Sequence, residues 1–177
     1  IAVNEVVLET IVNRSRFICY LFPCTSATAL KNYIQTLQKE HPQASHHCYA
    51  FVAGTPLDSQ KYGFSDDGEP SGTAGRPMLI ALQGSDVGQV AAVVVRYFGG
   101  IKLGTGGLQR AYGASVRNAL VQLQTDLKTP MVSKQLACEY HQVNDVMHLV
   151  EKTQSLVETQ DYQEKVIFVL AIPKDQL

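Results

Sequence analysis

Gly99-Gly100-Ile101-Lys102-Leu103-Gly104-Thr105-Gly106-Gly107, with Arg110 just beyond, is the stretch of this chain best equipped to meet an anion. Its glycines permit positive φ and let another molecule come close to the main chain. A helix starting there would present unpaired N–H groups and partial positive charge, to which Lys102 and Arg110 add full charges. The spacing fails both familiar phosphate signatures. It lacks GxxxxGK[ST], and Gln109 stands where GxGxxG needs its last glycine. Two interpretations therefore stand level. One is an anion seat built from Gly99, Gly100, Lys102, Gly104, Gly106, Gly107 and Arg110. The other is a tight turn whose glycines only let helix and strand pack.

Asp66, Asp67 and Glu69 put three carboxylates within four residues, inside the run SDDGEPSGTAGRP from Ser65 to Pro77. Oxygen ligands of that kind hold hard cations, but the spacing is not that of an EF-hand loop. They could also act as acid and base, which needs a defined partner that sequence does not place. The simpler expectation is a turn at Asp67-Gly68, followed by Ser71 or Thr73 capping a short helix. Structure together with surface recognition is favoured over a metal or catalytic site, and no metal or cofactor is expected. His46 and His47 open a strand, so their imidazoles point to opposite faces and do not chelate. Tyr62, Phe64, Tyr97, Phe98 and Tyr112 are the aromatic candidates for stacking on bases, although several of them fit the core better.

These residues need a scaffold, and the hydrophobic pattern predicts one. Glu5–Val12 and Ser15–Phe22 read as a hairpin around Asn13-Arg14. Ser26 is a good N-cap for a helix that His41-Pro42 stops. A strand over His46–Ala53 leads into a long loop from Gly54 to about Gly75, a length more often functional than idle. Pro77–Leu82 predicts a short helix. Gly88–Phe98, with four valines and two alanines, predicts a strand buried on both faces. From Gly107 to about Gln124, Leu108, Tyr112, Val116, Ala119 and Leu123 trace one face of a helix, with Arg110 and Arg117 on another stripe. Thr125–Pro130 reads as a linker. Beyond it follow a strand (Met131–Tyr140), a helix (Val143–Thr153) and two strands (Leu156–Tyr162 and Lys165–Pro173). That β-α-β-β unit would ordinarily want another helix to cover its sheet, so it reads as incomplete at its C-terminus.

At 177 residues the chain suits one large domain or two small ones. A net charge of -1 exerts no global pull on nucleic acid. The distribution is uneven, however: Val87–Thr125 holds Arg96, Lys102, Arg110 and Arg117 and no acidic residue, so a local positive patch is expected. The four cysteines show neither CxxC spacing nor disulfide density and read as reduced core thiols. No apolar run is long enough to span a bilayer and no signal peptide is visible, so a cytoplasmic location is expected.

DDGEPSGTAGRP at Asp66–Pro77, RYFGGIKLGTGGLQRAYG at Arg96–Gly113 and SHHCYAF at Ser45–Phe51 together resemble the diagnostic segments of the YigZ/IMPACT family. The resemblance implies an α+β protein of two domains. Residues 1–126 would form a domain like the second domain of ribosomal protein S5, a four-stranded sheet backed by two helices. Residues 129–177 would form part of a ferredoxin-like domain similar to the C-terminal domain of elongation factor G. Both relatives touch ribosomal RNA, so the analogy favours a non-catalytic protein that binds RNA or the translation machinery and regulates translation. Eukaryotic members act with an extra N-terminal domain for which this chain has no room, so their kinase-pathway role is not transferred. Besides the glycine loop, His47, Asp66, Asp67, Glu69, Arg96 and Tyr97 are the expected groove or recognition residues, with His47 hydrogen-bonding the acidic loop. The competing expectations are a protein–protein interaction module without nucleic acid, and a hydrolase using Asp66, Asp67, Glu69 and His47.

Overall fold

The computed structural model describes residues 1–56, 58 and 60–177. They fold into two compact units, residues 1–126 and 127–177, in a mixed α+β architecture with two antiparallel sheets. The first unit runs β1 (Val6–Val12), β2 (Ser15–Pro23), α1 (Ala27–Glu40), β3 (His46–Val52), β4 (Tyr62–Ser65), α2 (Gly75–Gln83), β5 (Val90–Tyr97) and α3 (Gly104–Leu120). Its sheet has the order β1-β2-β5-β3-β4. The valine-rich β5 lies at the centre, and every residue from Val90 to Arg96 is buried. Val90, Ala92 and Val94 join the core under α2 and α3, while Ala91, Val93 and Val95 join the core under α1. Two covered faces explain why this antiparallel strand lacks alternation.

The sheet has five strands with helices on both faces, not four strands backed by two helices. The extra strand, β4, lies inside the expected Gly54–Gly75 loop, of which Leu57 and Ser59 fall outside the described residues. Its Gly63 pairs with Phe51, and a Cβ there would stand 2.8 Å from the Phe51 ring. The missing side chain lets the ring cover the strand, and a four-residue strand interrupted by glycine carries little strand signal despite Tyr62 and Phe64. Helix α3 starts three residues before the expected Gly107. Leu103, packed against the core, anchors the first turn, and a Cβ on Gly107 would lie 3.0 Å from the Leu103 Cβ.

The β1–β2 turn is a two-residue connection, Val12 pairing with Ser15. Asn13 and Arg14 both have positive φ, 46° and 65°, the geometry that matches strand twist and usually selects Asn-Gly. The second unit comprises β6 (Met131–Cys138), α4 (Val143–Lys152), β7 (Leu156–Tyr162) and β8 (Val166–Pro173), with sheet order β6-β8-β7. Val146 and Val150 of α4 pack on Val166, Phe168 and Leu170 of β8.

Gly75, the first residue of α2, decides between two opposing effects. Helix propensity alone favours Gly75→Ala by about 1 kcal/mol. A Cβ there, however, would meet the Ser65 backbone at 2.7–2.8 Å, and backbone cannot yield as a side-chain tip does. Overcrowding of that kind costs about 1–3 kcal/mol. Gly75→Ala is therefore expected to lower the denaturation midpoint, and a raised midpoint would show that the contact relaxes freely.

Candidate anion-binding site

The acidic loop between β4 and α2 is occupied by its own fold. Asp66 accepts from the amides of Gly72 (2.9 Å), Ala74 (3.1 Å) and Gly75 (2.8 Å), so its carboxylate fills the anion seat at the start of α2. Asp66 is thus the cap; Thr73 instead donates to the Pro70 carbonyl. Asp67 accepts from the His47 main-chain amide at 2.6 Å, and the expected turn forms at Asp67-Gly68. The acidic-loop contact expected of the His47 side chain belongs to His46. Its Nδ1 lies 2.7 Å from the Asp67 carbonyl oxygen and its Nε2 3.7 Å from Glu69 Oε2. The pleat explains the exchange, because His46 shares the face of Cys48 and His47 points the other way. His47 is buried, and burial holds its pKa below the ordinary imidazole value, partly opposed by the Asp67 charge.

Glu69 and Arg96 form a buried ion pair at 2.5 Å, with the two residues 8% and 5% exposed. Tyr112 of α3 donates to the same carboxylate oxygen at 2.7 Å. Arg96 Nη2 donates to Ser15 Oγ at 3.3 Å, and that oxygen also accepts from the Gly99 amide at 3.2 Å. Burial pushes the Tyr112 hydroxyl and the Cys48 thiol far up in pKa, so Cys48 stays protonated and unreactive. All four cysteines are free and buried. Glu69, Arg96 and His47, expected at a groove, are buried behind the surface. Tyr97 points to the α1 side, its hydroxyl 2.8 Å from His41 Nδ1, and is not brought to the glycine loop's partners. Among the described residues no group of three or more His, Cys, Asp or Glu side chains is placed to hold a metal ion.

The start of α3 contrasts with the start of α2. No side chain caps it, and its first turn contains no acidic residue. Gly100 (φ 85°) and Gly104 (φ 71°) flank Lys102 with open space where a Cβ would stand, so the main chain is approachable. Arg110 folds back one turn, its Nη1 3.4 Å from the Cβ position of Gly106. It also lines a cavity of about 290 Å³ with Leu103, Gly107 and the hairpin residues Val12 and Asn13. Gly99 packs against the hairpin so closely that a Cβ would fall 2.2 Å from the Arg14 carbonyl oxygen. On the other flank of α3, Gln109 shares a cavity of about 340 Å³ with Gly72 and Arg76. Arg14, Arg76, Lys102 and Arg110 are exposed, and among the described residues none forms an ion pair. Arg14 escapes sequence reasoning because only the packing of Gly99 brings its turn here. Its one signal is an arginine standing where a two-residue hairpin turn wants glycine.

The model of the Impact N-terminal domain matches residues 13–120, which hold the hairpin turn, both motifs and all of α3. The chain belongs to the IMPACT family. IMPACT family member YigZ of Escherichia coli is 51% identical over 162 residues, 92% of this chain and 79% of its own. An IMPACT family member of Haemophilus influenzae is 48% identical over 169 residues, 96% of this chain and 82% of its own. A solved structure of a hypothetical protein aligns over all of this chain and 86% of its own, with 47% identity and a TM-score of 0.75. The two-domain translational regulator Yih1 aligns with 68% of this chain and 45% of its own at 22% identity, with a TM-score of 0.38.

In this IMPACT family chain the buried pair makes a graded prediction. Tyr112→Phe removes one donor to a buried carboxylate and should cost about 1–3 kcal/mol. Glu69→Ala strands a buried guanidinium and should cost about 3–5 kcal/mol. Urea denaturation of the two variants checks the order; equal and small losses would mean that water reaches Arg96.

Proposed function

We propose that this chain is a non-catalytic binder of RNA, acting on the translation machinery in the cytoplasm, with the start of α3 and the hairpin turn as its phosphate-binding surface. The observation that carries the proposal is the contrast between the two helix starts. The α2 amides are filled internally by Asp66, whereas the uncapped first turn of α3 lies under the Arg110 guanidinium between two grooves. Arg110 reaches that turn, Lys102 precedes it, Arg14 lies where the hairpin backs Gly99 and Arg76 shares a groove with Gln109. Among the described residues none of the four has an ion-pair partner, while Glu69 is buried on Arg96. Positive charge gathered on one surface of a nearly neutral protein favours a polyanion. Hydrolysis is the less favoured reading, because Asp66, Asp67 and Glu69 all hold main-chain or guanidinium donors.

Binding of a short RNA in a filter assay should weaken steeply with salt, since each neutralised phosphate releases counterions. Lys102→Ala with Arg110→Ala should weaken binding across sequences and flatten the log–log salt slope by about 1.4, two contacts at roughly 0.7 each on a single strand. Equal affinity and slope for wild type and double variant would refute the assignment of this surface.

Arg14 allows a sharper separation. Relieving a non-glycine residue of left-handed geometry should stabilise the hairpin by about 1 kcal/mol. Arg14→Gly should therefore raise the melting temperature and lower RNA affinity together. Affinity unchanged or improved would place Arg14 outside the surface.

A second interpretation rests on the second unit, where Leu136, Leu149, Val150 and Leu170 border an apolar cavity of about 260 Å³. Docking of another protein there would show as copurification that survives RNase.

A further inference from the structure

Phe98 is 51% exposed on a segment that is firmly held. Its amide donates to Ser45 Oγ at 3.1 Å, and the next amide, Gly99, donates to Ser15 Oγ. The Arg96 guanidinium lies over the Phe98 ring, 5.7 Å from its centroid, and over the buried Phe17 ring at 5.4 Å. Arg96 is itself held by Glu69. The exposed ring thus rests on a buried cation that cannot move without breaking an ion pair. Beside it come Ile101, 43% exposed, the exposed Lys102, and Arg14, whose backbone packs on Gly99. An aromatic platform next to phosphate-directed cations is the pairing that single-stranded nucleic acids need, because every unpaired base offers a π-face. A duplex hides its faces in the stack and presents only edges and backbone.

We propose that Phe98 is a base-stacking platform, so that the polyanion received at this surface is single-stranded RNA with an unpaired base laid on the ring. The proposal rests on the phosphate-binding role given above to Lys102 and Arg110. The Glu69–Arg96 pair then acts as the mount of the platform, holding the ring in place before the base arrives and limiting the ordering that binding requires.

The chain contains no tryptophan, so Phe98→Trp creates a single reporter at the site. Adding a short unstructured RNA should quench its emission, and the perfect duplex of the same length should quench it much less. In parallel, Phe98→Ala should weaken binding of the single strand about tenfold, within the range for loss of one stacked base. Its salt slope and duplex affinity should stay at wild-type values, and its melting temperature should show that the fold is intact. Tryptophan emission unmoved at saturating single strand overturns the proposal, as does a Phe98→Ala variant that binds like wild type. In either case a weakened Lys102→Ala, Arg110→Ala variant keeps the phosphate surface standing. If neither RNA binds wild type at low salt, the phosphate surface falls and the platform with it.

Discussion

Glu69 and Arg96 meet almost wholly buried, and much of the first unit is arranged around that fact. Burying two charges is costly, and their attraction repays the cost only when geometry is close and the remaining hydrogen-bonding capacity is met. Here one carboxylate oxygen takes both Arg96 and Tyr112, and Arg96 Nη2 reaches on to Ser15, which takes the Gly99 amide, so that among the described residues only the Arg96 Nε of this cluster is buried without a partner. The acidic loop, the central strand, α3 and the β1–β2 hairpin are thereby tied to one point. What the pair contributes is less net stability than a condition: the two motifs must meet in this register, or a bare charge stays buried.

That condition separates two kinds of charge that look alike in the sequence. Asp66, Glu69 and Arg96 face inward or hold main-chain donors, and Asp67, though exposed, holds the His47 amide. Among the described residues, Arg14, Arg76, Lys102 and Arg110 remain outside without acidic partners, and the start of α3 has no side-chain cap. The carboxylates act as masons of the loop, and the cations bear the surface.

Much of the scaffold was legible beforehand for identifiable reasons. The doubly buried β5 announced itself by valines without alternation, the Asn13-Arg14 hairpin by its flanking strands, and α1 by Ser26, which accepts from the Ala29 amide. Strand β4 stayed hidden because its pairing depends on Phe51 crossing a glycine from another strand. The site was legible only in part. Local spacing singled out Lys102, Arg110 and the glycines as a possible anion seat, since such a seat at a helix start is a local device, and the helix there starts without a side-chain cap. It did not foresee the burial of Glu69, Arg96 and His47, because burial and partner choice are set by residues 20 or more positions away in sequence, as Asp67 is from His47 and Arg96 from Glu69. His46 and His47 exchanged roles through pleat parity alone, which one strand's pattern cannot orient without its neighbours.

The central claim is that the molecule keeps its carboxylates for itself and offers the start of α3 to a polyanion. Amide chemical-shift mapping during titration with a short single-stranded RNA tests it most directly. The account predicts that the largest shifts fall on Asn13, Arg14 and residues 98–107, while the amides of His47, Gly72 and Gly75, locked to Asp66 and Asp67, hardly move. Shifts concentrated on α1, β4 or the second unit, with residues 98–107 silent, would contradict it.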